Sequence, residues 1–368
     1  MLGHSFHPPR LVGRSVELQH ISQILAADGD LLLAGIPGSG RHSLIRAAAD
    51  QVGARVLEID CLRATNGSRF LELLAEGLVE TFSTASELQL IQRWSANQPV
   101  VLEHSLTRRA RLVWHASPSR DWELLQALLE LPQVMAEWLD CRVVIVFQNF
   151  PHLRSWDRGS RWEDYLQKKI QQHSRVSYVL ITTIVEEWAS EIPLQTIALG
   201  PIPNHELQPW IQTEAASHGL HFEPGSHALD LFCSYVQGHP GGAIALNRRI
   251  WLDHCTFEQN TNSPAATLIQ PHHVHRSTLS LVEDLSMTFE SLLLLLPSTQ
   301  VRVLESLALD PTDSPHARDY IQKHQLSRGG GLQGALAALE QKGLLYGPQY
   351  GYQIALPFLA FWLKHRLA

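Results

Sequence analysis

Apolar positions along this chain follow two patterns in succession. Up to about residue 200, short continuous apolar runs alternate with stretches of helical period. Leu31 to Ala34, Arg55 to Ile59, Arg142 to Phe147 and Ser177 to Thr182 read as strands, and Thr196 to Leu199 as a short last one. Leu18, Ile21, Ile24 and Leu25 share one helical face, and Phe70 to Val79, Trp122 to Leu139 and Trp162 to Gln172 predict further helices. Pro99 to Leu106 and Ala110 to Ala116 predict a hairpin around Thr107 and Arg108. Strands alternating with helices predict an α/β fold whose parallel sheet is covered on both faces.

From Asn204 the strand signals stop. Helical periods over 204–218, 225–237 and 240–254 predict a small helical lid. Thr256 to Pro271, rich in Asn, Thr, Ser and Pro, reads as a linker. Helical segments Leu281 to Leu296, Ser298 to Ala308, Ser314 to His324 and Leu332 to Lys342 come next. Two short apolar stretches follow, Leu344 to Tyr346 and Tyr352 to Ala355, with Gly347, Pro348 and Gly351 between them. Helices followed by a Gly/Pro-tipped hairpin make the pattern of a winged helix. The expected division is a core over 1–200, a lid over 201–260, a linker over 261–277 and a winged-helix domain over 278–368.

With 368 residues the chain can form two or three domains. A net charge of -7 gives the whole molecule no electrostatic footprint for nucleic acid. Cys61, Cys141, Cys233 and Cys255 lie far apart with no C-x-x-C, as expected of reduced thiols in a cytoplasmic protein. Met1 to Arg14 has no apolar core of a secretory signal, and the run Leu292 to Leu296 is too short to span a bilayer. No membrane partner is therefore expected.

The candidate chemistry starts at Leu31 to Ile45, LLLAGIPGSGRHSLI. A buried strand enters a turn with Gly35, Gly38 and Gly40, and the turn opens a helix carrying Leu44, Ile45, Ala47 and Ala48. This is the layout of a phosphate-binding loop, G-x-x-x-x-G-K-[ST]. There, backbone N–H groups wrap the phosphates, lysine reaches the β/γ oxygens and the hydroxyl holds Mg²⁺. Gly35, Pro37, Gly38, Ser39, Gly40 and Ser43 keep the cradle, while Arg41 stands at the lysine position and His42 at the hydroxyl position.

Around this loop the chain resembles AAA+ and STAND-type ATPases, in particular the archaeal and bacterial ones that end in a winged helix. Leu11-Val12-Gly13-Arg14-x-x-Glu17-Leu18 is similar to the "GR-x-x-E-L" box ahead of their loop. Gly35 to Leu44 is similar to their Walker A segment, and Gly238-His239-Pro240 to their lid "G-x-P". Thr182 or Thr183 stands where sensor 1 is expected. Leu326-Ser327, and Pro357-Phe358 with Phe361-Trp362-Leu363, match the C-terminal pattern. The resemblance implies a Walker B strand ending in D-E-F, but Val143 to Phe147 is followed by Gln148-Asn149-Phe150. The Asp would order Mg²⁺ and the Glu would polarise water, in a reaction that is mostly positioning and charge neutralisation. Gln148 and Asn149 keep the hydrogen-bonding shape and lose the charge. Arg41 keeps a charge on a larger planar fork, which does not replace an ammonium conservatively. Four departures in one site imply a pseudo-ATPase. The backbone nest at the helix N-terminus still suits ATP or ADP, without firm Mg²⁺ dependence.

Other features read more plainly. His272-His273-Val274-His275 fits no closed zinc spacing and reads as solvated linker. The recognition helix, expected from Leu326, carries only Arg328 and Lys342 as basic residues, which is little for phosphate neutralisation. Arg154, Arg158, Arg161, Lys168, Lys169 and Arg175, interleaved with Trp156 and Trp162, suit nucleic-acid contact better, but Asp157, Glu163 and Asp164 dilute their charge, and a solvated helix face is the favoured reading. Arg108, Arg109 and Arg111 form a smaller patch. Phe358, Phe361, Trp362 and Leu363 are expected to pack back onto the winged helix or lid. Three function classes stand: a non-hydrolysing regulatory or scaffold protein with a protein partner, alone or as a homo-oligomer; a nucleic-acid-binding protein; and an ATPase with a variant site.

Overall fold

The computed structural model describes residues 11, 13–104, 110–114, 121–170, 174–192, 194–258 and 267–367. The chain forms two compact units. One comprises Val16–Ala34 and Arg41–Ala198; the other joins Gly35–Gly40 and the described residues before Val16 to Leu199 onward.

The first unit contains α1 (Ser15–Ala26), β1 (Leu31–Gly35), α2 (Arg41–Gln51), β2 (Ala54–Asp60), α3 (Gly67–Thr81) and α4 (Ala85–Ser95). It continues with β3 (Val101–His104), β4 (Ala110–Val113), α5 (Asp121–Leu139), β5 (Arg142–Gln148), α6 (Arg161–Lys169), β6 (Val176–Thr182) and β7 (Gln195–Leu199). The main sheet runs β2-β5-β6-β1-β7. Its described pairings are parallel, with Asp60 opposite Gln148, Phe147 opposite Leu180 and Ala34 opposite Thr182. Every residue of β1 and β6 is buried, so these strands read as unbroken apolar runs rather than alternating ones. β3 and β4 form the expected antiparallel hairpin, whose tip at Thr107 and Arg108 lies outside the described residues, as do Val12 and Arg109.

Helix α4 was not legible from apolar spacing. It is set by a capping box, in which Thr84 Oγ1 accepts from Glu87 N and the Glu87 carboxylate accepts from Thr84 N. Burial is the largest influence on the Glu87 carboxyl and raises its pKa. The Thr84 and Arg55 hydrogen bonds outweigh it and leave the pKa below the usual range. The core is aromatic at its centre. Phe147 stacks on Phe70 at 5.9 Å and on Tyr178 at 6.4 Å.

The second unit contains α7 (Asn204–Ser217), β8 (Leu220–Phe222), α8 (Ala228–Val236), α9 (Pro240–Glu258), β9 (Thr267–Ile269) and α10 (Pro271–Leu294). It ends with α11 (Ser298–Leu309), α12 (Arg318–Lys323), α13 (Gly330–Gln341) and α14 (Pro357–Leu367). Three expectations are corrected here. Strands do not stop at Asn204: β8 pairs in parallel with β9, inside the stretch read as linker. Residues 271–277 are the first turns of α10 rather than solvated linker, because Val274, Ser277 and Thr278 are buried. The recognition helix α13 begins at Gly330, not at Leu326.

In the wing, Leu345 bridges Ile354, Tyr346 N donates to Gln353 O at 2.8 Å and Ala355 N donates to Leu344 O at 2.9 Å. Helix α14 packs on α8, α10 and α11. Phe358, Leu359, Trp362 and Leu363 are buried, Phe361 is half-buried, and Trp362 meets Phe289 at 5.7 Å. The C-terminal apolar set is thus internal, as expected. Trp362→Ala should cost about 3–5 kcal/mol, as truncation of a buried aromatic does. Calorimetry or chemical denaturation checks this, and parental stability would show that Trp362 holds nothing in place.

Candidate functional site

The strand β1 delivers the chain to a loop, Ile36–Gly40, from which α2 starts. Gly38 and Gly40 hold φ of +81° and +89°, a region that glycine enters without a Cβ penalty. The two glycines are needed for different reasons. A Cβ on Gly38 would lie 2.6 Å from His239 Cε1, whereas around Gly40 the corresponding space is empty to 4 Å. One is packed against and the other faces room.

His239 stands at the start of α9, in the G-x-P segment, and belongs to the same unit as the loop. Its Nε2 lies 3.0 Å from Pro37 O, and its Nδ1 accepts from Gly242 N at 2.8 Å. These two contacts define the Nε2–H tautomer, with Nε2 donating to the loop carbonyl. Gly241 N donates to Gly38 O at 3.1 Å. The loop carbonyls are therefore satisfied by the first turn of a helix distant in sequence. Ile36 adds an apolar contact with Tyr346 and Ala355 of the wing. Burial favours the neutral imidazole and lowers the His239 pKa, partly opposed by the Pro37 contact.

In the other unit, the residues at the altered positions are wired into the sheet. Arg41 Nη1 donates to Thr182 O at 2.9 Å, and burial lowers the Arg41 pKa to about 10, still charged at neutral pH. Thr182, the sensor-like residue, is buried and donates from Oγ1 to Ile184 O at 2.6 Å. Gln148 Nε2 lies 2.9 Å from His42 Nδ1 and 3.4 Å from Glu58 Oε2. Arg46 holds Glu58 with two bonds of 2.8 and 3.0 Å. Asn149, at φ 53°, donates to Asp60 Oδ1 at 3.0 Å, and that oxygen also accepts from Leu62 N. Ser43 is exposed on the first turn of α2. Glu58 and Asp60 on β2 were not picked out from the sequence. Their signal was the alternate acidic pair at the end of a partly buried edge strand.

Two observations fit this loop to a phosphate group. Ser39 Oγ is buried without a hydrogen-bond partner among the described residues, and Gly40 faces open space. The residues do not fit Mg²⁺. Arg41, His42, Gln148 and Asn149 supply neither carboxylate nor hydroxyl, and the nearby Glu58 and Asp60 carboxylates are engaged by Arg46 and by Asn149 with Leu62 N.

The basic aromatic segment is a different matter. Arg154 forms a forked pair with buried Glu163 and reaches Glu186, so it is an internal tie rather than a free contact. Trp162 sits edge-on to Phe70, Trp122 and Trp156, which commits the tryptophans to packing. Arg161 lies over Trp122 and Lys169 over Tyr165. Of the expected nucleic-acid contacts, Arg158 and Lys168 are the exposed ones without such a tie among the described residues.

The family described as "Probable winged helix domain" matches residues 287–365. No curated protein matches the chain by sequence. In structure the chain is similar to a Walker-type ATPase of Pyrococcus abyssi, with 16% identity and a TM-score of 0.65 over 98% of this chain and 100% of that one. It is similar to the Aeropyrum pernix ORC1 protein in complex with DNA, with 16% identity and a TM-score of 0.50 over 100% and 97% of the two chains. It is also similar to Drosophila ORC bound to DNA, with 14% identity and a TM-score of 0.50 over 98% and 88%. At these identities the likeness is one of fold. The chain has the AAA+ P-loop fold, followed by a C-terminal winged-helix domain.

The His239 contact makes a prediction about pH. A histidine whose folded pKa is lowered contributes stability that is full above its unfolded value, about 6.5, and is lost as pH falls through the folded value. His239→Asn should reduce the loss of thermal stability between neutral and acidic pH. His239→Ala should cost about 1–3 kcal/mol at neutral pH, because buried partners lose their bonds. Melting curves across pH check both, and an unchanged pH slope in His239→Asn would place the dependence on another group.

Proposed function

We propose that this protein binds ATP or ADP without hydrolysing it and works in the cytoplasm as a regulatory or scaffold subunit through protein contacts. One observation carries this reading. The four residues at the altered catalytic positions are bonded to neighbouring groups of the sheet and its helices, while the loop keeps its left-handed glycines and an unpartnered buried hydroxyl. Arg41 and the N-terminal amides of α2 would hold the phosphates, and Ser39 would supply a hydroxyl donor. Nucleotide and the first turn of α9 share the loop 37–40, so occupancy and the loop–lid contact are coupled reciprocally. A protein partner is supported by apolar exposure near the end of α10, where Met287, Leu294 and Leu295 are 79%, 85% and 81% exposed.

A second reading is DNA binding through the winged-helix domain. It rests on the fold, since two structural neighbours were solved with DNA. The charge on the expected surface is thin: Lys342, at the end of α13, is tied to Gln300 at 2.6 Å. Salt-sensitive binding of duplex DNA at low ionic strength would favour this reading over the first.

The test of the main reading is restoration. The parent protein should show no turnover above that of Gly40→Asp. The combined change Arg41→Lys, His42→Thr, Gln148→Asp and Asn149→Glu sets carboxylates beside Glu58 and Asp60, a cluster that needs a cation. It should raise Mg²⁺-dependent nucleotide affinity about tenfold or more, equivalent to about 1.4 kcal/mol. A correctly folded combined variant with no gain would mean that the cradle is lost. Parental turnover abolished by Gly40→Asp would instead mean an active ATPase with a variant site.

A further inference from the structure

The second unit contains a cleft of about 620 Å³ bordered by α8, α11, the wing and α14. This is within the usual range for a small-molecule site, about 300–1,000 Å³. None of the loop residues 35–43 lines it. Its walls are aromatic. Tyr235 and Phe361 meet edge to face at 5.4 Å, Tyr352 stands on the wing, and all three are only partly buried. Leu307 and Ile354 form apolar floor.

The backbone around the cleft is strained. Tyr352 and Gln237 both hold φ of +48°, a conformation that costs a residue with a Cβ and is rare for a bulky one. Strain of this kind persists where the surroundings fix it and concentrates at ligand sites. These two residues also bracket the polar feature of the cleft. Gln353 Nε2 donates to Gln237 Oε1 at 2.7 Å. That bond leaves the Gln237 amide N–H donors and the Gln353 carbonyl acceptor at the cleft with no further partner among the described residues. An amide donor and an amide acceptor on a lining that also carries aromatic rings suit the polar edge and flat face of a nucleobase. A purely apolar ligand would strip water from both amides and return nothing. The cleft has two charged side chains, Lys364 and Asp313, both exposed; Lys364 suits a phosphate, and Asp313 suits an exocyclic amine.

We propose that this cleft binds a nucleobase, carried either by a nucleoside monophosphate or by single-stranded nucleic acid. The base stacks against the Tyr352 and Phe361 walls, the Gln237–Gln353 pair meets its edge, and Lys364 meets its phosphate. The site is separate from the phosphate loop and does not depend on the loop binding nucleotide.

The experiment titrates the full chain with adenosine, cytidine and thymidine, their 5′-monophosphates and a short oligothymidylate, read by calorimetry and ligand-observed NMR. Saturating inorganic tripolyphosphate is present to occupy the loop. The expected result is saturable nucleoside binding that tripolyphosphate does not displace. Tyr352→Gly removes the ring and relieves the positive φ, and a melting curve checks that the variant folds. It should weaken binding by about tenfold, as loss of one stacking partner does. Lys364→Ala should weaken the monophosphates and leave the nucleosides unchanged. Tighter binding of oligothymidylate than of thymidine monophosphate, lost in Tyr352→Gly, would assign the base to a strand; the reverse order would assign it to a free nucleotide. No saturable binding at millimolar nucleoside, displacement of the nucleosides by tripolyphosphate, or indifference to Tyr352→Gly would each overturn the proposal.

Discussion

The hydrogen bonds of one imidazole hold the functional loop in place. His239 donates to Pro37 O and accepts from Gly242 N, and the next residue, Pro240, starts a long helix. A glycine-rich loop has high conformational entropy, and fixing it needs partners for its carbonyls. Here the lid supplies them, together with the Gly241 to Gly38 bond and the Ile36 contact with the wing. The absence of a Cβ at Gly38 is what lets the ring approach. The loop and the first turn of α9 share these bonds, so a change in the shape of one disturbs the other.

The altered positions form a second, separate system on the sheet. Losing carboxylates from the end of β5 would leave a hydroxyl or a metal without partners. The residues at these positions each have a neighbour: Gln148 has His42, Asn149 has Asp60, and Arg41 has the Thr182 carbonyl. Asp60 and Gln148 face each other in the parallel register, and the Asp60 carboxylate accepts from Asn149, the residue after β5. A site that has drifted without constraint would show unsatisfied groups, since burying a polar side chain without a partner costs about 1–3 kcal/mol. The one orphaned hydroxyl of the loop, Ser39, lies in the part that the cradle would use.

Much of this was legible in the sequence, for reasons that also explain the misses. Fully buried strands such as β1 and β6 are continuous apolar runs, and the glycine spacing after β1 fixes a strand–loop–helix unit. The winged helix followed from helices and a Gly/Pro-tipped turn. The strands β8 and β9 have three residues each, too few for a period to show. The start of α10 was hidden because polar His272, His273 and His275 surround its buried Val274. Arg154 looked available because a sequence shows a charge and not its partners, Glu163 and Glu186. The role of His239 was not legible either. Its only signal was a histidine inside G-x-P followed by Gly241 and Gly242.

The central claim is that the cradle survives while the metal chemistry does not. The most direct measurement is calorimetric titration of the parent protein with ATP and with ADP, once with Mg²⁺ and once with chelator. The account predicts saturable binding with similar affinity in both conditions, because Arg41, the α2 amides and Ser39 need no cation. Binding that appears only with Mg²⁺ would contradict it by restoring a metal to the site, and no binding in either condition would show that the loop no longer serves nucleotide.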